Sequence, residues 1–107
     1  MKRGDLVTIA LQGDYGKPRP ALVVQSDLFS EHPSVTILPV TSDLRKAPLF
    51  RIDVEPTAGT NLKNRSQVMV DKVQTVPCEK VGAAFGQLDD AAMLSINRAL
   101  AVWLGFA

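Results

Sequence analysis

The stretch GKPRPALVVQS, Gly16–Ser26, sets one arginine between two prolines and directly ahead of four apolar residues. Ala21–Gln25 is too short for a helix, and its continuous apolar run reads as a strand buried on both faces. Gly13–Pro20 carries two glycines and two prolines, which makes it a loop. Arg19 therefore stands at the mouth of a strand. Pro20 pushes it out of the helical region into an extended shape, and Pro18 stiffens the approach. A guanidinium held this way has less backbone entropy to lose on binding. Its fork of donors suits a phosphate, which it can grip through two oxygens. The commoner reading of such a residue is a solvated arginine at a loop end.

Short strands extend to both sides of this one. Leu6–Leu11, LVTIAL, is apolar and β-branched, with a turn signal in Gln12-Gly13-Asp14 behind it. Ser26–Ser34 is a polar connection with a helical turn at Asp27–Phe29. Val35–Val40, VTILPV, is a strand, and Pro39 points to a sheet edge or a bulge because it cannot donate to a ladder. Leu49–Val54 alternates after Phe50 and reads as half-exposed. Pro56–Arg65 is a loop. Gln67–Val70 and Val73–Val76 are two short strands around Asp71 and Lys72, with a last one near Ala84–Gly86.

The period changes near the C-terminus. Met93, Ile96, Leu100, Trp103 and Leu104 fall at spacings of 3, 4, 3 and 1, the apolar face of a helix. That pattern makes Trp103 a core residue. Asp89 or Asp90 caps the start, and Gly105 lies where a stop belongs. Strands followed by one helix, without crossover helices, predict a mainly β fold. The expectation is a small, mostly antiparallel barrel with a C-terminal α-helix across it, one domain over residues 1–107.

Composition narrows the chemistry. Lys plus Arg is 12 and Asp plus Glu is 11, so a basic site would have to be local. Cys78 is the only cysteine, which forbids an internal disulfide and fits a reducing cytoplasm. His32 is the only histidine, so the usual His/Cys zinc site and a two-histidine acid/base pair cannot be built within one chain. The N-terminus lacks the apolar core of a signal peptide, and no apolar run approaches the ~20 residues of a membrane helix. P-loop, dinucleotide, nucleophile-elbow and zincin motifs are absent from the sequence. An enzyme here is expected to work without metal or cofactor, through arginine, hydroxyls and backbone donors.

Thr41 and Ser42 place two hydroxyls at the end of VTILPV, where strand-end donors can bind phosphate oxygens. A turn capped by a hydroxyl is the plainer account. Lys17, Arg19, Arg45, Lys46 and Arg51 are opposed only by Asp43 within their two segments. If those segments meet, they form a basic groove; apart, they are solvated loop charges. His32 reads as a surface residue, and nothing near Cys78 in sequence activates its thiol.

These residues resemble the MazF/PemK family of toxin endoribonucleases, and the likeness runs almost end to end. RGDLVTIAL (Arg3–Leu11) is similar to the family's opening strand, and KPRPALVVQSDLF (Lys17–Phe29) to its Arg-Pro strand. ILPVTS (Ile37–Ser42) and SQVMVDKVQTV (Ser66–Val76) resemble two further signatures, followed by Gly86-x-Leu88 and the terminal helix. Lys72 stands where many members carry Gln, and the loop Gln12–Pro18 is short. The resemblance implies an SH3-like, CcdB-type barrel and a homodimer. It also implies a cytoplasmic toxin that cuts single-stranded RNA at short sequences, and an antitoxin whose tail fills the RNA groove. By resemblance, Arg19 and Thr41 are catalytic, while Ser42, Lys17, Arg45 and Lys46 are candidate RNA or phosphate contacts.

Two other readings share the fold. A gyrase poison of the CcdB type acts by binding through a C-terminal helix ending in Trp, Gly and an apolar residue, and this chain ends AVWLGFA. Those relatives lack the Arg-Pro strand. A catalytically inactive barrel kept for antitoxin binding is the third, and intact Arg19 and Thr41 argue against it.

Overall fold

The structure, a computed structural model, describes residues 1–10 and 17–107. Leu11, at the end of the first expected strand, and the loop from Gln12 to Gly16 lie outside the described residues. The strands are β1 (Asp5–Ile9), β2 (Arg19–Val23), β3 (Ser34–Thr41), β4 (Arg51–Val54), β5 (Ser66–Met69), β6 (Gln74–Pro77) and β7 (Gly86–Gln87), followed by α1 (Asp90–Leu104). All their pairings are antiparallel, in the order β4-β5-β3-β2-β1-β7, with β6 also on β3. The mainly β, mostly antiparallel architecture with a C-terminal helix is the one the sequence pattern predicts.

β3 is the hub. Its middle pairs with β2, its first half with β6, and its last two residues with β5. Ile37 faces β2 and β6 at once, so these lie on opposite edges. β5 and β6 follow one another along β3, separated by the 3-10 turn Val70–Lys72. They behave as one strand broken by a bulge. Pro39 sits where β6 has ended and β5 has not begun, and its missing donor falls at that break. The sheet edge suggested by Pro39 is therefore corrected: β3 is interior, and the proline is tolerated beside a bulge.

β2 also departs from expectation. It starts at Arg19 rather than Ala21, because Arg19 and Pro20 pair with Ile9 and Thr8 of β1. Proline is compatible with the beginning of a strand, where its fixed φ suits extended backbone.

Alternation along β1, β2 and β3 divides the buried side chains between two faces. Leu6, Leu22, Leu38 and Val40 join Val54, Val68, Val70, Leu88, Ile96 and Ala99 on one face. Val7, Ile9, Ala21, Val23, Val35 and Ile37 join Val76 on the other. The first face is covered by α1. The second is enclosed because the chain after β6 returns to β1. There Val81 bridges Ile9, the Ala10 N–H donates to the Lys80 carbonyl, and the Gly82 N–H donates to the Thr8 carbonyl. A Cβ at residue 82 would lie 2.3 Å from the Thr8 hydroxyl, so a larger residue there would have to turn that hydroxyl aside.

Asp89 caps α1 by accepting from the Ala92 N–H at 2.8 Å, and Gly105 ends it at φ +84°, in the left-handed region. Ile96 and Ala99 are its buried residues. The helical stripe runs out before its last turn. Trp103 is 48% exposed and meets Phe50 at a ring-centroid distance of 5.9 Å. The expectation of a core Trp103 is thus corrected: the sheet does not extend far enough to cover the helix end.

Ile96 has no solvent exposure and joins the helix to the core. Ile96→Ala is expected to lower stability by about 2–5 kcal/mol through lost burial and an unfilled cavity. Urea unfolding of the purified chain reads this directly.

Candidate nucleic-acid groove

The register of β2 on β3 builds the centre of the site. Ala21 pairs with Pro39, Leu22 with Leu38 and Val23 with Ile37. Arg19, the first residue of β2, and Thr41, the last of β3, each lie two residues beyond the last pair of that ladder, where Arg19 pairs with Ile9 of β1 and Thr41 with Gln67 of β5. The period of two also puts both on the face of Ala21 and Ile37, at the mouth of the enclosed apolar cluster. Two residues separated by 21 others in the chain thus arrive on one surface.

That surface is one wall of an open groove of about 980 Å³. Arg19, Thr41 and Ser42 line it, together with Pro18, Pro20 and Pro39. The Thr41 Oγ1 accepts from the Asp43 N–H at 3.0 Å, which fixes its rotamer and leaves its own proton free to donate. Lys72 comes from the bulge between β5 and β6, and Gln74 from the start of β6. Asn61, Lys63 and Asn64 come from the loop between β4 and β5. Among the described lining residues, Arg19, Lys63 and Lys72 are cations and none is a carboxylate. The groove is therefore locally cationic on a chain with a net charge of +1.

Other candidates stand elsewhere. Lys17, Arg45 and Lys46 are exposed and are not among the lining residues. Arg45 pairs with Asp43 at 3.4 Å, and its backbone is held on both sides by the Gln67 amide at 2.9 Å. Arg51 donates to the Asp43 carbonyl at 2.9 Å and to the Gln67 Oε1 at 3.2 Å. The Arg51 side chain and the Gln67 amide brace the loop that follows Thr41. Buried Gln67 makes that bracing possible, and its amide also donates to Asp53 at 2.9 Å. His32 lies with Cys78 beside a water-sized hollow away from the groove. Among the described residues, no group of three or more His, Cys, Asp or Glu comes together in metal-binding geometry.

Sequence reasoning missed Lys63, Asn61 and Asn64. Their loop has no pattern of its own, and only the strand order brings it across from β2. Lys72 was visible as a departure at a signature position, without the bulge that aims it.

A model of the PemK-like, MazF-like toxins of type II toxin–antitoxin systems matches residues 2–104. A probable endoribonuclease MazF of Mycolicibacterium smegmatis is 46% identical over 108 residues, spanning 100% of this chain and 99% of the relative. Among solved structures, a mycobacterial endoribonuclease in complex with its cognate antitoxin superposes with a TM-score of 0.84 at 24% identity, covering 100% of this chain and 97% of that one. The Mycobacterium tuberculosis toxin MazF-mt6 gives 0.81 at 24% identity over 94% and 96%. A MazE-MazF structure from Deinococcus radiodurans gives 0.78 at 19% identity over 98% and 95%. At these identities the structures speak to the fold. The family match and the 46% identical relative together span nearly the whole chain, and it belongs to the PemK-like, MazF-like toxin family of type II toxin–antitoxin systems.

Proposed function

We propose that this chain is a toxin endoribonuclease that cuts single-stranded RNA without a metal ion. The observation that supports this reading is that Arg19, Thr41 and Ser42 line one cationic groove. The ribose 2′-OH attacks the adjacent phosphate. The O2′–P bond forms, the P–O5′ bond breaks, and a 2′,3′-cyclic phosphate and a 5′-OH result. The 2′-OH loses its proton and the departing O5′ gains one. Arg19 stabilises the charge that builds on the phosphorane oxygens, where prepositioned donors are most effective. A guanidinium gives up its proton only reluctantly, so its part is electrostatic. The Thr41 hydroxyl, already oriented by the Asp43 N–H, adds a second donor. Ser42 at the same rim is a phosphate contact.

The antitoxin, in this reading, covers the groove with an acidic or apolar tail that takes the place of RNA. The chain acts as a homodimer in the cytoplasm. The dimer is supported by large apolar side chains left in water at the end of α1, Trp103, Leu104 and Phe106 among them. No helix among the described residues is long and apolar enough to cross a membrane. The free Cys78 fits a reducing compartment.

Incubation with a long single-stranded RNA in EDTA tests the reading. Wild type is expected to cut, leaving cyclic phosphate ends. Arg19→Ala and Thr41→Ala are each expected to lose at least ~100-fold in rate, the scale seen when a transition-state donor is removed. Arg19 is exposed, so Arg19→Ala should keep its thermal midpoint. A sharp drop in that midpoint would make Arg19 structural. Absence of cutting by wild type, with gyrase–DNA complexes trapped instead, would favour the poison. Sedimentation at micromolar concentration is expected to give twice the chain mass of 11.6 kDa, and a monomer would refute the dimer.

A further inference from the structure

The loop between β4 and β5 is long and irregular, yet it is built as a fixed element. Buried Thr60 donates through Oγ1 to the Glu55 carbonyl at 2.9 Å and accepts from the Thr57 N–H at 3.0 Å. The Asn61 amide donates to the Phe85 carbonyl at 2.9 Å, and the Gln87 N–H donates to the Gly59 carbonyl at 3.0 Å. Asn61 itself adopts φ +58°, a left-handed conformation that asparagine tolerates. A Cβ at residue 86 would lie 2.1 Å from the Thr60 carbonyl oxygen. Gly86 therefore lets the loop lie directly on β7.

The loop carries two cations with different surroundings. Arg65 is held by Asp53 at 3.1 Å and by Glu55 at 3.0 Å. Lys63 lines the groove and makes no ion pair among the described residues. It stands on an element separate from the β2–β3 wall that holds Arg19 and Thr41. A strand of RNA whose scissile phosphate meets Arg19 has a further phosphate to place against this second wall.

We propose that Lys63 is a substrate-positioning residue that holds a phosphate flanking the scissile one, with the β4–β5 loop as its rigid mount. This rests on the nuclease reading above. Lys63 supplies binding shared by substrate and transition state, whereas Arg19 acts on the reacting phosphate. Loss of Lys63 raises KM and leaves kcat in place.

The test uses the full chain and two readouts in EDTA. The first is fluorescence anisotropy of a labelled, mixed-sequence single-stranded 2′-O-methyl RNA, which cannot be cut, between roughly 50 and 200 mM salt. Lys63→Ala is expected to weaken binding about fivefold, the worth of one hydrogen-bonded contact. It should also lower the slope of log affinity against log salt by about 0.7, the value for one phosphate contact on a single strand. Lys63→Arg should keep the slope, and Arg65→Ala, whose charge is already paired, should leave affinity and slope unchanged. The second readout is cleavage of oligonucleotides centred on a mapped cut and trimmed from either end. Wild type and Lys63→Ala should converge in KM once the flanking phosphate on one side is removed.

An unchanged salt slope in Lys63→Ala overturns the proposal. So does a fall in kcat as deep as that of Arg19→Ala, or an Arg65→Ala effect equal to that of Lys63→Ala. If wild type binds the uncuttable RNA but cuts none, the nuclease reading fails while the slope still decides the role of Lys63. If wild type does not bind, both fall.

Discussion

The pairing of β2 with β3 sets the terms for everything at the groove. Three residue pairs, from Ala21–Pro39 to Val23–Ile37, fix the register, and each sends its side chains to an already buried face. A slip by one residue would turn Leu22 and Leu38 into the wrong cluster and carry Arg19 to the opposite face. The apolar interior thus enforces the position of a cation that contributes little to it. The same constraint explains why an arginine between two prolines can be placed accurately at the edge of a small protein. Pro18 and Pro20 limit the chain locally, and the ladder fixes it globally.

Much of this was legible because it depends on local pattern. Alternation and β-branching located the strands, the 3.6-residue period located α1, and Asp89 and Gly105 marked its ends. Arg19 and Thr41 were legible as strand-end residues and through the motifs that carry the family likeness. Their meeting in one groove was not, since it depends on how strands distant in sequence are ordered. Pro39 pointed to an edge or a bulge because of its lost donor, and the bulge is what the fold uses. An interior strand accommodates it because β5 and β6 are separated by the turn at Val70–Lys72, whose pairing with β3 the sequence could not show. Trp103 misled because a helical stripe says which face is apolar, not how far the covering sheet reaches.

Charge followed a similar division. Counting basic residues near Arg19 and Thr41 drew attention to Arg45 and Arg51, which the fold places beside a turn braced through Gln67. The cations that line the groove with Arg19 are Lys63 and Lys72, distant in sequence and brought in by strand order. Arg51 directs one guanidinium nitrogen to a carbonyl and an amide oxygen within its own loop. A lysine facing open groove does not, and the distinction depends on partners that only the folded chain reveals.

The 3-10 turn between β5 and β6 separates two duties that a regular strand would merge. Val70 anchors it, fully buried and with its N–H donating to the Phe50 carbonyl at 2.9 Å. Lys72, two residues on, is exposed and belongs to no ladder pair. Exchange at position 72 therefore leaves every strand partnership intact. A lineage of such chains can vary that side chain, and with it the lining of the groove, while inheriting the scaffold unaltered.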